Sequence, residues 1–119
     1  MNPPRVKRVY DPPAGGDGTR ILVDRLWPRG IAKDRARIDL WLKDLSPRHA
    51  LRKEFHGHPE HWDTFRAAFA TELASPEAQA AAETVFERRR AGPVTLLYAA
   101  RDESHNNAVA LRLWLDEQP

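Results

Sequence analysis

The chain has no cysteine. That absence excludes disulfides, thiolate catalysis and cysteine-ligated zinc or iron–sulfur sites. No stretch approaches the roughly eighteen consecutive apolar residues of a membrane span, so no membrane partner is expected. Met1-Asn2-Pro3-Pro4-Arg5 lacks the apolar middle of a signal peptide, which makes the cytoplasm the expected compartment. An excess of one charge is missing too. The 19 Lys and Arg stand against 17 Asp and Glu, and a net charge of +2 is too small to argue for nucleic acid. What remains is 119 residues, 41% hydrophobic and 30% charged. That suits one folded domain over residues 1–119, with a single core.

Of the 19 basic residues, 15 are arginine. Its planar fork of donors suits phosphate and carboxylate, so the bias is compatible with anion recognition. A genome rich in guanine and cytosine gives the same excess of Arg, Ala and Pro, and is the plainer explanation.

Along the chain, Arg5 to Tyr10 alternates weakly and reads as a short strand. Two prolines and three glycines between Asp11 and Gly18 make a loop. Arg20-Ile21-Leu22-Val23-Asp24 reads as a strand buried on both faces, and Trp27-Pro28-Arg29-Gly30 as a turn. Ile38 to Lys43 fits strand alternation and a helical face alike, and is taken as a strand. Ser46-Pro47 opens a helix carrying Leu51 and Phe55, which Gly57 ends. Pro59 opens a second, with Trp62, Phe65, Phe69 and Leu73 on one stripe. Ser75-Pro76-Glu77 opens a third, which Ala91-Gly92-Pro93 stops. Val94 to Ala99 is the clearest strand, and a final helix carries Ala108, Leu111, Trp114 and Leu115. This order predicts an α/β fold: a compact domain with a small, mostly parallel sheet of about four strands flanked by helices.

In open parallel sheets, ligands bind beyond the carboxyl ends of the strands. Asp24, Arg25, Arg29 and Lys33 follow the second strand; Arg101, Asp102, His105 and Asn106 follow the last; Tyr10 and Asp11 end the first. The arginines and the N–H groups of the final helix would hold an anion such as phosphate. His105 could move a proton near neutral pH, with Asp24 orienting it, acting as base or holding an arginine; Asp24, Arg25 and His105 are the candidate catalytic set, and Tyr10, Arg29, Lys33, Arg101, Asp102 and Asn106 the candidate ligand-binding set. The structural alternative has Asp24 paired with a neighbouring arginine and Asp102 or Ser104 capping the last helix.

His56, His58 and His61 resemble metal-ligand spacing, but no fourth ligand is evident and a solvated helix–helix connection accounts for them. No metal or cofactor is assigned. The glycines at 15, 16 and 18 lack the Lys-Ser/Thr of a phosphate loop, and no Gly-x-Ser-x-Gly elbow occurs. Trp41, Trp62 and Trp114 read as core, whereas Trp27 lies in the candidate site turn.

Val23-Asp24-Arg25-Leu26-Trp27-Pro28-Arg29-Gly30 with Lys33 resembles the signature of the YeaO-like family, a branch of the superfamily labelled domain of unknown function 488. Trp41 to Pro47, Leu51-Arg52-Lys53 with Phe55, and Thr95 to Glu103 with His105 and Asn106 continue the resemblance over nearly the whole chain. It implies a compact α/β fold with polar motifs after an early and a late strand, and it supports a strand near Ile38 to Leu42. It implies no reaction. Relatives often carry an acidic residue where this chain has His58, and the wider superfamily often has a cysteine in its late motif. A thiol-dependent role therefore does not transfer.

The expected function is a small-ligand enzyme or binder of an anionic, phosphate- or nucleotide-containing molecule at the carboxyl edge of the sheet. Whether the ligand is turned over is left open by the residues. The alternative is a nucleic-acid-binding regulator, suggested by a pI of about 9.3 but weakened by dispersed basic residues, or a non-catalytic interaction module.

Overall fold

A computed structural model of the chain describes residues 3–118. In order, the elements are β1 (Arg5–Arg8), β2 (Thr19–Leu22), α1 (Lys33–Ala36), β3 (Leu40–Trp41), α2 (His49–Phe55), α3 (Trp62–Glu72), α4 (Pro76–Ala91), β4 (Val94–Tyr98) and α5 (Asn107–Glu117). The four strands form one sheet in the order β1-β4-β2-β3, and every pairing is parallel. The long crossover through α2, α3 and α4 carries the chain back so that β4 inserts between β1 and β2.

As the central strand, β4 is buried at all five positions, which is why Val94-Thr95-Leu96-Leu97-Tyr98 reads as an unbroken apolar run around one threonine. Alternation still divides its faces. Val94, Leu96 and Tyr98 join Ile21 and Val23 in the main core, against Phe65, Phe69, Val85, Leu111 and Leu115 of the helices. Leu97 and Leu22 point the other way, onto Val9, Trp27 and Trp41. The two indoles meet edge to face with centroids 5.4 Å apart and cover a sheet face that no long helix covers.

The amino-terminal half of that second face is polar. Arg20 is 4% exposed, and its guanidinium donates to Asp17 and to the carbonyls of Arg37 and Ala36. Lys7 reaches the same Asp17 carboxylate at 3.2 Å, and Thr95 Oγ1 donates to the Asp17 carbonyl. The turn into β2 needs Gly18, which has φ +65° and lies so close to Pro93 that an added Cβ would be 2.1 Å from its carbonyl oxygen.

Several expectations are revised. Ser46-Pro47 does not open α2: Ser46 ends a 3-10 turn and its hydroxyl donates back to the Lys43 carbonyl, so the helix starts at His49 after Arg48. The strand expected over Ile38 to Lys43 is two residues long, because the segment leaves the sheet and winds a 3-10 turn at Lys43–Leu45. Lys33–Ala36, read as no element, forms one helical turn that Arg37 ends in the left-handed region. Among the described residues no helix is long and apolar enough to cross a membrane.

Candidate functional site

Parallel pairing sends the carboxyl ends of β1, β2 and β4 to one edge of the sheet. There the loops after these strands meet α2 and the start of α5 around a cleft of about 1040 Å³. Tyr10, Asp24, Arg25, Arg29, Arg101, Asp102, His105 and Asn106 all line it. Lys33 does not: it lies in α1 with its ammonium 5.9 Å above the Trp27 ring.

The turn after β2 is fixed from several directions. Trp41 Nε1 donates to the Asp24 carbonyl at 2.7 Å, Trp27 Nε1 to the Ile31 carbonyl at 2.7 Å, and the Tyr10 hydroxyl to the Arg29 carbonyl at 3.1 Å. Asp24 turns its carboxylate inward. One oxygen accepts the Ala99 N–H at 2.9 Å; the other accepts Asn107 Nδ2 at 3.0 Å, and this amide also donates to the Val23 carbonyl. Burial raises the Asp24 carboxyl above its ordinary value, against the Asn107 and Ala99 hydrogen bonds and the Arg52 charge, which lower it. Asp24 pairs with no arginine among the described residues, nor do its hydrogen bonds reach His105.

His105 lies in the loop before α5 and has partners of its own. Its Nδ1 lies 3.4 Å from the Asp102 carboxylate, and its ring meets Trp62 edge to face. Asp102 accepts the backbone N–H groups of His105 and Ser104, which hold its carboxyl below the ordinary range. It caps this turn rather than α5. The cap of α5 is Asn106, whose Oδ1 accepts the Val109 N–H at 2.9 Å while Nδ2 donates to the Asp102 carbonyl. The Asn106 amide is thus spent on the fold, and its neighbour Asn107 reaches Asp24.

A further wall is α2. His49, Arg52, Lys53 and His56 line the cleft, and their spacing of three, four and seven residues is one helical face. Sequence reasoning followed the apolar pair Leu51 and Phe55 and passed over this polar stripe, although its periodicity is in the chain. Asn107 carried no comparable signal.

A four-stranded parallel sheet flanked by helices, with a cleft beyond the carboxyl ends of its strands, places the chain in the large class of open α/β folds. Within it, the chain belongs to the family described as the inactive DUF488-N3 subclade, which matches residues 4–119. The chain is similar to the uncharacterized protein YeaO of Escherichia coli (strain K12), 45% identical over 109 residues that cover 92% of this chain and 93% of that protein. It is also similar to the uncharacterized protein Rv3073c of Mycobacterium tuberculosis (strain ATCC 25618 / H37Rv), 39% identical over 107 residues, 90% of this chain and 88% of that one. No solved structure matches.

Proposed function

We propose that the chain binds a small anionic molecule, phosphate- or nucleotide-containing, in the cleft at the carboxyl edge of the sheet. One observation carries this reading. Arg25, Arg29, Arg52, Lys53 and Arg101 all line the cleft, and none of them forms an ion pair among the described residues. The carboxylates that could neutralise them are engaged elsewhere: Asp24 by the Ala99 N–H and Asn107, Asp102 by its own turn. Arg25 gives one hydrogen bond to the Ser46 carbonyl and keeps a buried Nε without a partner. Unpaired cations converging on a concave site are complementary to an anion. A volume of about 1040 Å³ accommodates a nucleotide-sized ligand.

Binding is favoured over turnover, because the Asp24 carboxylate engages neutral donors instead of His105, and the family is described as inactive. The reading is tested by calorimetric titration with inorganic phosphate, pyrophosphate and nucleoside diphosphates. Arg52→Ala and Arg101→Ala should each weaken binding about tenfold to a hundredfold, the loss of one charge-assisted hydrogen bond of roughly 1.5–3 kcal/mol. Arg35→Ala, on the exposed face of α1, should bind like the wild type. Wild-type affinity in both cleft variants would contradict the reading, as would no binding of any probe.

A further inference from the structure

We propose that His58, Glu60 and His61 bind one divalent transition-metal ion of the zinc type. The connection between α2 and α3 folds into a single 3-10 turn, Pro59–His61, in which proline fixes the first dihedral. Its backbone is tied at both ends: the His58 N–H donates to the Phe55 carbonyl and the His61 N–H to the His58 carbonyl, each at 2.9 Å. This brings three ligand-type side chains to one side of the turn. His58 Nδ1 lies 3.1 Å from Glu60 Oε1, His61 Nε2 lies 3.9 Å from the same oxygen, and one ligand atom from each residue falls within 4.8 Å of the others. The imidazoles are stacked, with centroids 5.0 Å apart and planes 15° apart.

Metal–ligand bonds of about 2.0–2.2 Å in tetrahedral array place ligand atoms roughly 3.3–3.6 Å from one another. Glu60 Oε1 lies within about half an ångström of that spacing from each imidazole nitrogen, and turning the two stacked rings about χ1 and χ2 would aim both nitrogens at one ion. Two imidazoles and one carboxylate are the donor set of an open zinc centre, with a fourth position left for water or an anion. Magnesium and calcium, which prefer all-oxygen shells, fit poorly. All three side chains are exposed, so an ion has a free path in. The triplet differs from the His56, His58 and His61 spacing visible in the sequence: Glu60 replaces His56. It stands apart from the anion reading, although His58 also lines the cleft.

The test uses the full chain without a histidine tag, stripped by chelator and titrated with zinc or cobalt(II) alone. One ion per chain is expected, with the visible absorption of nitrogen- and oxygen-ligated cobalt. His58→Ala, Glu60→Ala and His61→Ala should each weaken binding at least about tenfold, since even outer-shell changes cost that much. His56→Ala should bind like the wild type. Circular dichroism of each variant, which loses only exposed atoms, should retain the wild-type spectrum; zinc should raise the unfolding temperature of the wild type and not of H61A. No saturable one-to-one binding, wild-type affinity in H61A, or a loss in H56A equal to that in H61A would each overturn the assignment.

Discussion

Two aspartates, Asp17 and Asp24, face opposite electrostatic settings. Burial alone would push the Asp17 carboxyl up, but the Ala14 N–H, Lys7 and Arg20 outweigh it and hold the group below its ordinary 3.8. A depressed folded value contributes stability that is present above 3.8 and is lost as pH falls below it through the folded value. Asp17→Ala leaves Arg20 buried without its carboxylate, and urea unfolding should show a loss of about 3–5 kcal/mol. A variant as stable as the wild type would contradict this role. Asp24 is the reverse case, raised by burial. Its proton is held more tightly in the folded state, so the group favours folding as pH falls through the folded value towards 3.8 and opposes it when ionised near neutrality. Carboxyl-carbon NMR should find Asp24 titrating above 3.8, and higher still in Asn107→Ala, which removes a hydrogen bond to the ionised form. Titration below 3.8 would refute the account of its burial.

At the scale of elements, Gly18 joins the sheet to the loop before it. Gly18→Ala both forces a side chain into a positive-φ position and drives its Cβ onto Pro93, at a cost of about 2–5 kcal/mol measurable by urea midpoint. A cost under about 1 kcal/mol, the size of an ordinary glycine-to-alanine effect, would mean that the turn relaxes freely. The elements that sequence alone makes legible are those with strong local signals. Ser75-Pro76-Glu77 announces α4, and Ser75 Oγ does accept the Ala78 N–H. Val94 to Ala99 announces β4, and the Trp62-Phe65-Phe69-Leu73 stripe announces α3. β3 is short because only Leu40 and Trp41 find partners on β2, and pairing of that kind is a property of the sheet rather than of the segment. α1 is a single turn of Lys-Asp-Arg-Ala with no apolar period to mark it. In the site, eight of the nine candidate residues lie around one cleft because strand ends are readable and parallel pairing gathers them. Lys33 falls outside because the unforeseen turn of α1 carries it to Trp27. Arg52 and Lys53 were missed because their helix was read only for its apolar side.

For the whole molecule, a net charge of +2 conceals an uneven distribution. Lys7 and Arg20 share the single carboxylate of Asp17, and Arg66 and Arg90 each pair with a glutamate on the helices. Most of the other cations form no ion pair among the described residues, and five of these, Arg25, Arg29, Arg52, Lys53 and Arg101, are gathered around the cleft. On the proposed reading their concave arrangement suits a small ligand rather than a duplex, where contacts to many phosphates would make affinity fall steeply with salt. The arginine surplus as a whole needs no functional explanation; the proposed function rests on the subset that the strand ends and α2 gather around one cleft. The most direct measurement is an amide-shift titration of the labelled chain with a nucleoside diphosphate at moderate salt. The account expects saturable shifts at Arg25, Arg29, Arg52, Lys53, Arg101 and His105, abolished in the R52A/R101A double variant. Shifts scattered over the surface, or unchanged in the double variant, would contradict it.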